Sequence, residues 1–392
     1  MQILTFTSLF PNKVQPTHGV FIYQRVAHYA KLPQCSVEVV APVPYFPRWL
    51  RWKRWSFYAD IPRSEEVAGL RVSHPRYPLL PKIAMPLHGL FMFLGCIFSV
   101  LRLRKEIGFV CIDAHFVYPD GFAAVLLGKL LHVPVICSVR GTDITLYPSF
   151  ALVRPQIRWA VKQATGIIAV SNSLKQSLVK LGIPAEKIRV IGNGVDLERF
   201  GPMDRAAARR ELGLAENEPM LVSVASLQPH KGHQFLISAL SEIRNQFPTL
   251  KLYILGEGPF RKKLERLITE ENLERYVFLK GNRPNEELKL WYNSAEISCL
   301  VSSREGWPNV LLESIGCGTP VLATNVGGVP EVITSSELGM IVEQTTTSIK
   351  EGLEKALQRT WDRDALVRYA QKRTWDNVAE EMETYFLECV GS

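Results

Sequence analysis

The sequence predicts an α/β protein built as two doubly wound domains that face each other across a cleft. Three observations carry that expectation. At 392 residues the chain is longer than a single core ordinarily organises, so two domains of roughly 200 residues each are expected. Its composition, 47% apolar and 21% charged, is that of a globular rather than a disordered chain. Finally, short β-branched apolar runs alternate with amphipathic stretches, the pattern of βαβ units and a parallel sheet.

The first half offers the strands "QILTFTS", "SVEVVAPV", "GLRVSHPRY", "VCIDAH", "VPVICSVRG", "GIIAVS" and "IRVIGNGV". The second offers "MLVSVAS", "LKLYILG", "VFLKG", "ISCLVSS", "PVLATN" and "GMIVE". Between the sets lies a polar stretch with Gly and Pro, residues 193–219, the best candidate for a hinge. Domains over residues 1–197 and 198–374 follow, with an apolar-faced helix at 375–392 expected to pack back on the first. In such sheets ligands bind beyond the carboxyl ends of the strands.

Seven cysteines are scattered without a Cys-x-x-Cys pair or a metal-ligand spacing, which fits buried thiols in a reduced, cytoplasmic compartment. The opening "MQILTFTSLFPNK" lacks a basic leader and a small-residue cleavage site, so it reads as the first strand.

The formal charge of +8 is unevenly placed: residues 46–105 hold 11 Lys/Arg against 3 Asp/Glu, leaving the remainder neutral. Within that window "FPRWLRWKRWSFY" (residues 46–58) interleaves cations with large aromatics, suited to an anionic membrane surface. Nucleic acid is the competing partner for such a patch and is not expected here. An uncharged run at residues 83–101 barely reaches the length of a membrane span, and Pro86, His88, Gly89 and Gly95 interrupt it. A helix packed on the first domain and facing a membrane surface is expected instead.

The stretch "SREGWPNVLLESIG" sets Glu305 and Glu313 eight positions apart. Gly306 and Pro308 forbid helix before residue 308, so Glu305 rides the loop after a strand and Glu313 sits just over one turn into the helix. The backbone around Trp307, Pro308, Asn309 and Val310 then forms a helix N-terminus open to an anion. A carboxylate accepts two hydrogen bonds from a vicinal diol, so the two glutamates and the helix end suit a sugar nucleotide.

In "VASLQPHKGHQF", Lys231 is a point charge for a diphosphate. In "LGEGPFRKKL", Gly256 and Gly258 form a strand-end turn that permits close backbone approach. Gly19 in "PTHGVFIYQ" precedes a helix, either as a ligand loop or as a plain turn. His115 ends the strand of "CIDAHFVYPDG", at a cleft position in such a sheet. Arg140 and Asp143 in "SVRGTDI" either address acceptor or phosphate or brace their own loop as a pair. "DRD" at residues 362–364 falls on a surface helix and is not read as a metal site.

The Glu305-to-Glu313 segment with the following "GCGTPVLATNVGGVPEVI" resembles the signature of the retaining family 4 glycosyltransferases, whose hallmark is Glu-x7-Glu in the C-terminal domain of a two-Rossmann, glycosyltransferase-B fold. The first half looks similar to bacterial exopolysaccharide and teichuronic acid enzymes. The resemblance implies that Glu305 lies near the donor sugar, Glu313 holds the ribose, and Lys231 grips the diphosphate. It gives His115 a contact to the transferred sugar and the loop of Gly19 a place beside donor phosphates and acceptor. Ser226 stands where that family usually has arginine, which leaves Arg304, His230 or an N-terminal loop to complete the phosphate grip.

The expected function is transfer of a sugar, with retention, from a UDP- or GDP-sugar to a hydroxyl of a lipid-linked saccharide in surface polysaccharide synthesis. No metal and no cofactor are expected, and the protein is expected at the cytoplasmic face of the membrane. A sugar-nucleotide epimerase and a non-catalytic sugar-nucleotide-binding subunit are the rival functions. A dehydrogenase would need Gly-x-Gly-x-x-Gly after the first strand, which "TSLFPNKVQPTHG" lacks.

Overall fold

The computed structural model describes residues 1–45, 55–79 and 85–391. Most of the basic aromatic segment, including Arg51, Lys53 and Arg54, lies outside the described residues. The chain divides into two compact units, one of Met1–Asn193 with Trp375–Ser392 and one of Gly194–Thr374. The first division falls four residues before the boundary expected after residue 197.

The first unit carries β1 (Gln2–Phe6), β2 (Ser36–Val40), β3 (Val43–Pro44), β4 (Ser64–Val67), β5 (Leu70–Ser73), β6 (Arg76–Tyr77), β7 (Cys111–His115), β8 (Val135–Val139), β9 (Gly166–Ala169) and β10 (Ile188–Val190). Eight of these form one sheet in the order β10-β9-β8-β7-β1-β2-β5-β4. All pairs are parallel except β4 with β5. The two-residue turn at Ala68 and Gly69, both at positive φ, makes that antiparallel hairpin. Its strand "SEEV" was not expected, because an edge strand that keeps its carboxylates partly in solvent has no apolar run to announce it.

The central strands are buried on both faces, as a parallel sheet between helices requires. Ile3, Leu4, Phe6, Ile112, Ile136 and Ile168 are core residues. Toward the carboxyl ends of the strands the rule breaks: Thr5, Asp113, His115 and Ser138 are polar and fully buried. Breaks of that kind mark sites rather than packing.

Of the helices in this unit, two are long. His88–Ile107 buries Met92, Cys96, Val100 and Leu103. Its glycines are where neighbours press: a Cβ on Gly89 would meet the Phe122 ring at 2.6 Å and one on Gly95 would meet Arg76 O at the same distance. The C-terminal helix Trp375–Gly391 lays Trp375, Val378, Met382 and Phe386 against Ile22, Val26 and Tyr29 of the helix Val20–Tyr29. Tyr385 Oη donates to Lys187 O (3.0 Å) and accepts from the Ile167 N–H (3.1 Å). Truncating Phe386 to Ala in such a site costs roughly 3–5 kcal/mol.

The second unit has one sheet of β11 (Met220–Val224), β12 (Lys251–Leu255), β13 (Val277–Gly281), β14 (Ile297–Leu300), β15 (Val321–Thr324) and β16 (Gly339–Val342). Its order is β13-β12-β11-β14-β15-β16, all parallel. The strand order reverses at β11 and β14, the switch point beyond which such sheets bind ligands. The stretch expected as a free hinge is largely part of this unit. Asp204 caps the helix Arg205–Glu211 by accepting from the Ala207 N–H (2.9 Å), and buried Arg209 pairs with Glu296 at 2.9 Å. The Val195 N–H donates to Arg373 O (3.0 Å).

Candidate active site

In the second unit, β14 ends at Leu300 and the helix Asn309–Gly316 begins nine residues later. Pro308 occupies the cap, one residue before the position expected for it. The Asn309 N–H turns back to Trp307 O (3.1 Å), so of the expected run of open N–H groups those of Trp307 and Val310 have no backbone acceptor among the described residues.

Two glycines draw the neighbouring loops onto this one. Gly232 has φ +74°, and a Cβ there would lie 2.0 Å from Val301 O. Gly327 has φ +55°, and a Cβ there would lie 1.8 Å from Glu305 O. Only glycine tolerates both demands. The Ser303 N–H donates to His230 O (2.8 Å), fixing the Lys231 loop to the Glu305 loop. As a result Lys231 Nζ donates to Glu305 Oε1 at 2.6 Å, with side chains only 18% and 12% exposed.

Glu313, on the helix itself, accepts from Tyr292 Oη at 3.0 Å. Burial pushes its carboxyl up to about 7, against the opposing pull of the Tyr292 bond and of Arg199. His230 is lowered by burial and further by Lys231 and Arg304, so three cationic or basic groups share one neighbourhood. Arg304 is exposed, as is Ser226. A paired lysine and glutamate, a second carboxyl one turn into the helix and an exposed arginine can hold a diphosphate and a diol at once.

Residues 57–199 match the model of glycosyltransferase family 4, and residues 204–373 match that of the glycosyl transferases group 1. The chain is a family 4 glycosyltransferase of the glycosyltransferase-B fold. It is 25% identical over 402 residues to the putative teichuronic acid biosynthesis glycosyltransferase TuaC of Bacillus subtilis, covering 98% of this chain and 95% of that protein. It is 30% identical over 239 residues to the putative colanic acid biosynthesis glycosyltransferase WcaL of Escherichia coli, covering 59% and 57%. Among solved structures, the Anabaena HepE protein in complex with UDP and glucose superposes with a TM-score of 0.73 at 17% identity, covering 98% of each chain.

In the first unit of this glycosyltransferase, His115 is wholly buried. Its Nδ1 accepts from Arg140 Nη2 at 2.7 Å and its Nε2 lies 2.8 Å from Asp113 Oδ2. An arginine only donates, so the ring is the neutral Nε2–H tautomer. Burial holds its pKa down to about 4 despite Asp113. Through Nδ1 the imidazole orients Arg140, whose Nη1 donates to Asn193 Oδ1 (3.0 Å), while Nε2 lies near Asp113 without a hydrogen bond among the described residues.

Arg140 and Asp143 are not a side-chain pair. The Asp143 carboxylate accepts from the backbone N–H groups of Val117 (3.1 Å), Arg140 (3.2 Å) and Gly141 (2.8 Å), bracing the loop through its backbone. Gly19, Gly256 and Gly258 also turn inward. The missing Cβ positions lie 2.2, 2.1 and 2.2 Å from Leu9 O, Ala225 O and Leu227 O, so these glycines serve loop packing in their own units.

Tyr292, Asp113 and Asp120 escaped the sequence reading. The signal for the last two was present: each is an acid inside or just after an apolar strand, in "CIDAHFVYPDG". Tyr292 carries no such mark, because it meets Glu313 only through the fold.

Proposed function

We propose that this glycosyltransferase moves a sugar from a UDP- or GDP-sugar to a hydroxyl of a lipid-linked saccharide, with retention and without a metal. The observation that carries the donor half is the Lys231–Glu305 pair beside the start of the helix that bears Glu313. Lys231 and the helix N-terminus stabilise charge developing on a departing diphosphate. Arg304 supplies the cation that Ser226 does not. Glu313, with Tyr292 behind it, takes the ribose diol, and Glu305 faces the sugar. With Glu305 held by Lys231 no carboxylate in this group is free to act as a nucleophile, which favours attack on the same face assisted by the leaving phosphate.

The acceptor half rests on the helix His88–Ile107. The stretch Met85–Ile107 is long and apolar enough to cross a bilayer, with mean hydropathy 1.6, yet one face of it is core. The opposite face leaves Leu90, Leu94 and Phe98 exposed, Phe98 at 82%. Single exposed leucines are ordinary, but a stripe at helical spacing followed by Arg104 and Lys105 suits an anionic lipid surface. The likeness to proteins named for teichuronic and colanic acid synthesis supports a surface polysaccharide and a place at the inner face of the membrane.

Thermal shift with UDP, GDP and ADP identifies the base, one of the three raising the melting temperature by several degrees. Radiolabelled sugar from the matching donor should then enter a lipid extract and keep its anomeric configuration. Donor turnover without any acceptor would make the protein an epimerase; nucleotide binding without turnover would make it a binding subunit.

A further inference from the structure

A pocket of about 360 Å³ opens within the first unit beyond the ends of β1, β3 and β7. That is within the range of roughly 300–1,000 Å³ typical of small-molecule sites. Trp55, Tyr58, Tyr77, Phe116, Tyr118 and Tyr147 wall it. The Tyr118 hydroxyl is spent on Met85 O (2.5 Å) and that of Tyr77 lies 3.5 Å from His88 Nε2, so these two rings chiefly offer apolar surface. Among the described residues no Lys or Arg lines the pocket.

At its floor sits Asp120, 1% exposed. One carboxylate oxygen, Oδ1, accepts from the Ser8 N–H; the other, Oδ2, is buried with no hydrogen-bond partner among the described residues. Burial pushes this carboxyl up to about 7, partly offset by the Ser8 bonds. An unsatisfied buried acceptor costs free energy that an asparagine or an apolar residue would avoid. It persists where a ligand supplies the missing donor.

We propose that this pocket is the acceptor-sugar site and that Asp120 is its hydroxyl anchor. It holds an uncharged hexopyranose with the apolar C–H face against the aromatic wall and one ring hydroxyl donating to Oδ2. Aromatic surface with one well-placed acceptor is what such a sugar requires, being apolar on its faces and a hydrogen-bond donor at its edge. Met85 and His88, also on the pocket wall, sit at the start of the helix whose outer side exposes Leu90, Leu94 and Phe98. A lipid attached to the sugar leaves the pocket along that stripe. The assignment rests on the transfer reading for its name, acceptor, but not for the binding itself.

The test uses the full chain and three soluble probes below their micelle concentrations: octyl β-glucopyranoside, octyl β-galactopyranoside and octyl N-acetyl-β-glucosaminide. Saturation-transfer NMR should label the ring protons of at least one. Asp120→Asn, which keeps an oxygen for Ser8 but turns a donor into the pocket, should weaken that probe at least tenfold, with affinity for UDP or GDP within twofold of wild type. Tyr147→Leu gives a second reading should Asp120→Asn not fold, with the same expected loss. Ring protons unlabelled for every probe, labelling confined to the octyl chain, or equal labelling in folded Asp120→Asn would each overturn the site. Because nucleotide binding is read separately, loss of sugar binding with nucleotide binding intact fails this proposal alone, whereas absence of nucleotide binding fails the transfer reading.

Discussion

Lys231 Nζ donates to Glu305 Oε1 at 2.6 Å, so the two groups assigned to diphosphate and sugar are partners of each other. Both side chains are largely buried. Removing one leaves the other as an uncompensated buried charge, a larger loss than the pair itself contributes. The pair also holds each group in place before the donor arrives, so that binding exchanges partners rather than ordering free side chains.

Glu305→Gln should therefore leave nucleoside diphosphate affinity within about threefold, since Lys231 is freed for phosphate, while turnover falls by about 100-fold or more. Lys231→Ala should lower both affinity and turnover, and should also melt earlier than Glu305→Gln. Calorimetry with the nucleoside diphosphate and a transfer assay separate the two variants. Equal effects on affinity would mean that the pair is only structural.

Glu313 gives a dependence on pH. Its carboxyl is held up to about 7 by burial, whereas only the ionised form accepts two diol hydrogen bonds. Nucleotide affinity should thus rise with pH between 6 and 8 and be about tenfold weaker one unit below the pKa. Glu313→Gln should flatten that rise. The diphosphate protonates in the same range, so the informative quantity is the wild-type to Glu313→Gln ratio of affinities at each pH. A ratio that does not change would remove Glu313 from the ribose.

Asp120 predicts an effect on stability with the opposite pH sense from an ordinary ion-paired acid. Its folded pKa of about 7 stands above the ordinary carboxyl value of 3.8, so the native state binds the extra proton between those values. Stability from this group is fully present below about 4 and is lost as pH rises through 7. Asp120→Asn escapes the penalty and should melt higher than wild type at pH 8, by a margin that vanishes near pH 4. The full linkage is of order 4 kcal/mol at pH 8 before relaxation of the site. A variant gaining stability while losing sugar binding is what a site maintained at a cost to the fold predicts.

Much of this was legible in the sequence because the parallel strands are buried on both faces and so read as apolar runs. Gly306 and Pro308 likewise fixed the loop-to-helix placement of Glu305 and Glu313. Residues 193–219 misled because Gly and Pro masked an Asp204-capped, alanine-rich helix at Arg205–Glu211. Pairings across distance were not legible: Lys231 and Glu305 are 74 residues apart, and only the closeness allowed by Gly232 and Gly327 joins them. The surroundings of His115 were illegible for a related reason: Asp113 precedes it on the same strand, but Arg140 reaches its Nδ1 from 25 residues further along the chain.

The exposed stripe gives the remaining prediction. Leu94 and Phe98 are 53% and 82% exposed, so a charge there meets water and should change the melting temperature little. Burying those side chains in a lipid interface, by contrast, contributes up to roughly 1.5–3 kcal/mol each. Leu94→Glu with Phe98→Glu should therefore lower association with vesicles of phosphatidylglycerol and phosphatidylcholine at least tenfold, while nucleotide binding is untouched. The cations of residues 46–105 add a second, screened contribution. High salt should accordingly weaken wild-type binding further, and vesicles of phosphatidylcholine alone should bind less than the mixture. Undiminished sedimentation of the folded double variant with anionic vesicles would show that this face of the helix is not the one that meets lipid.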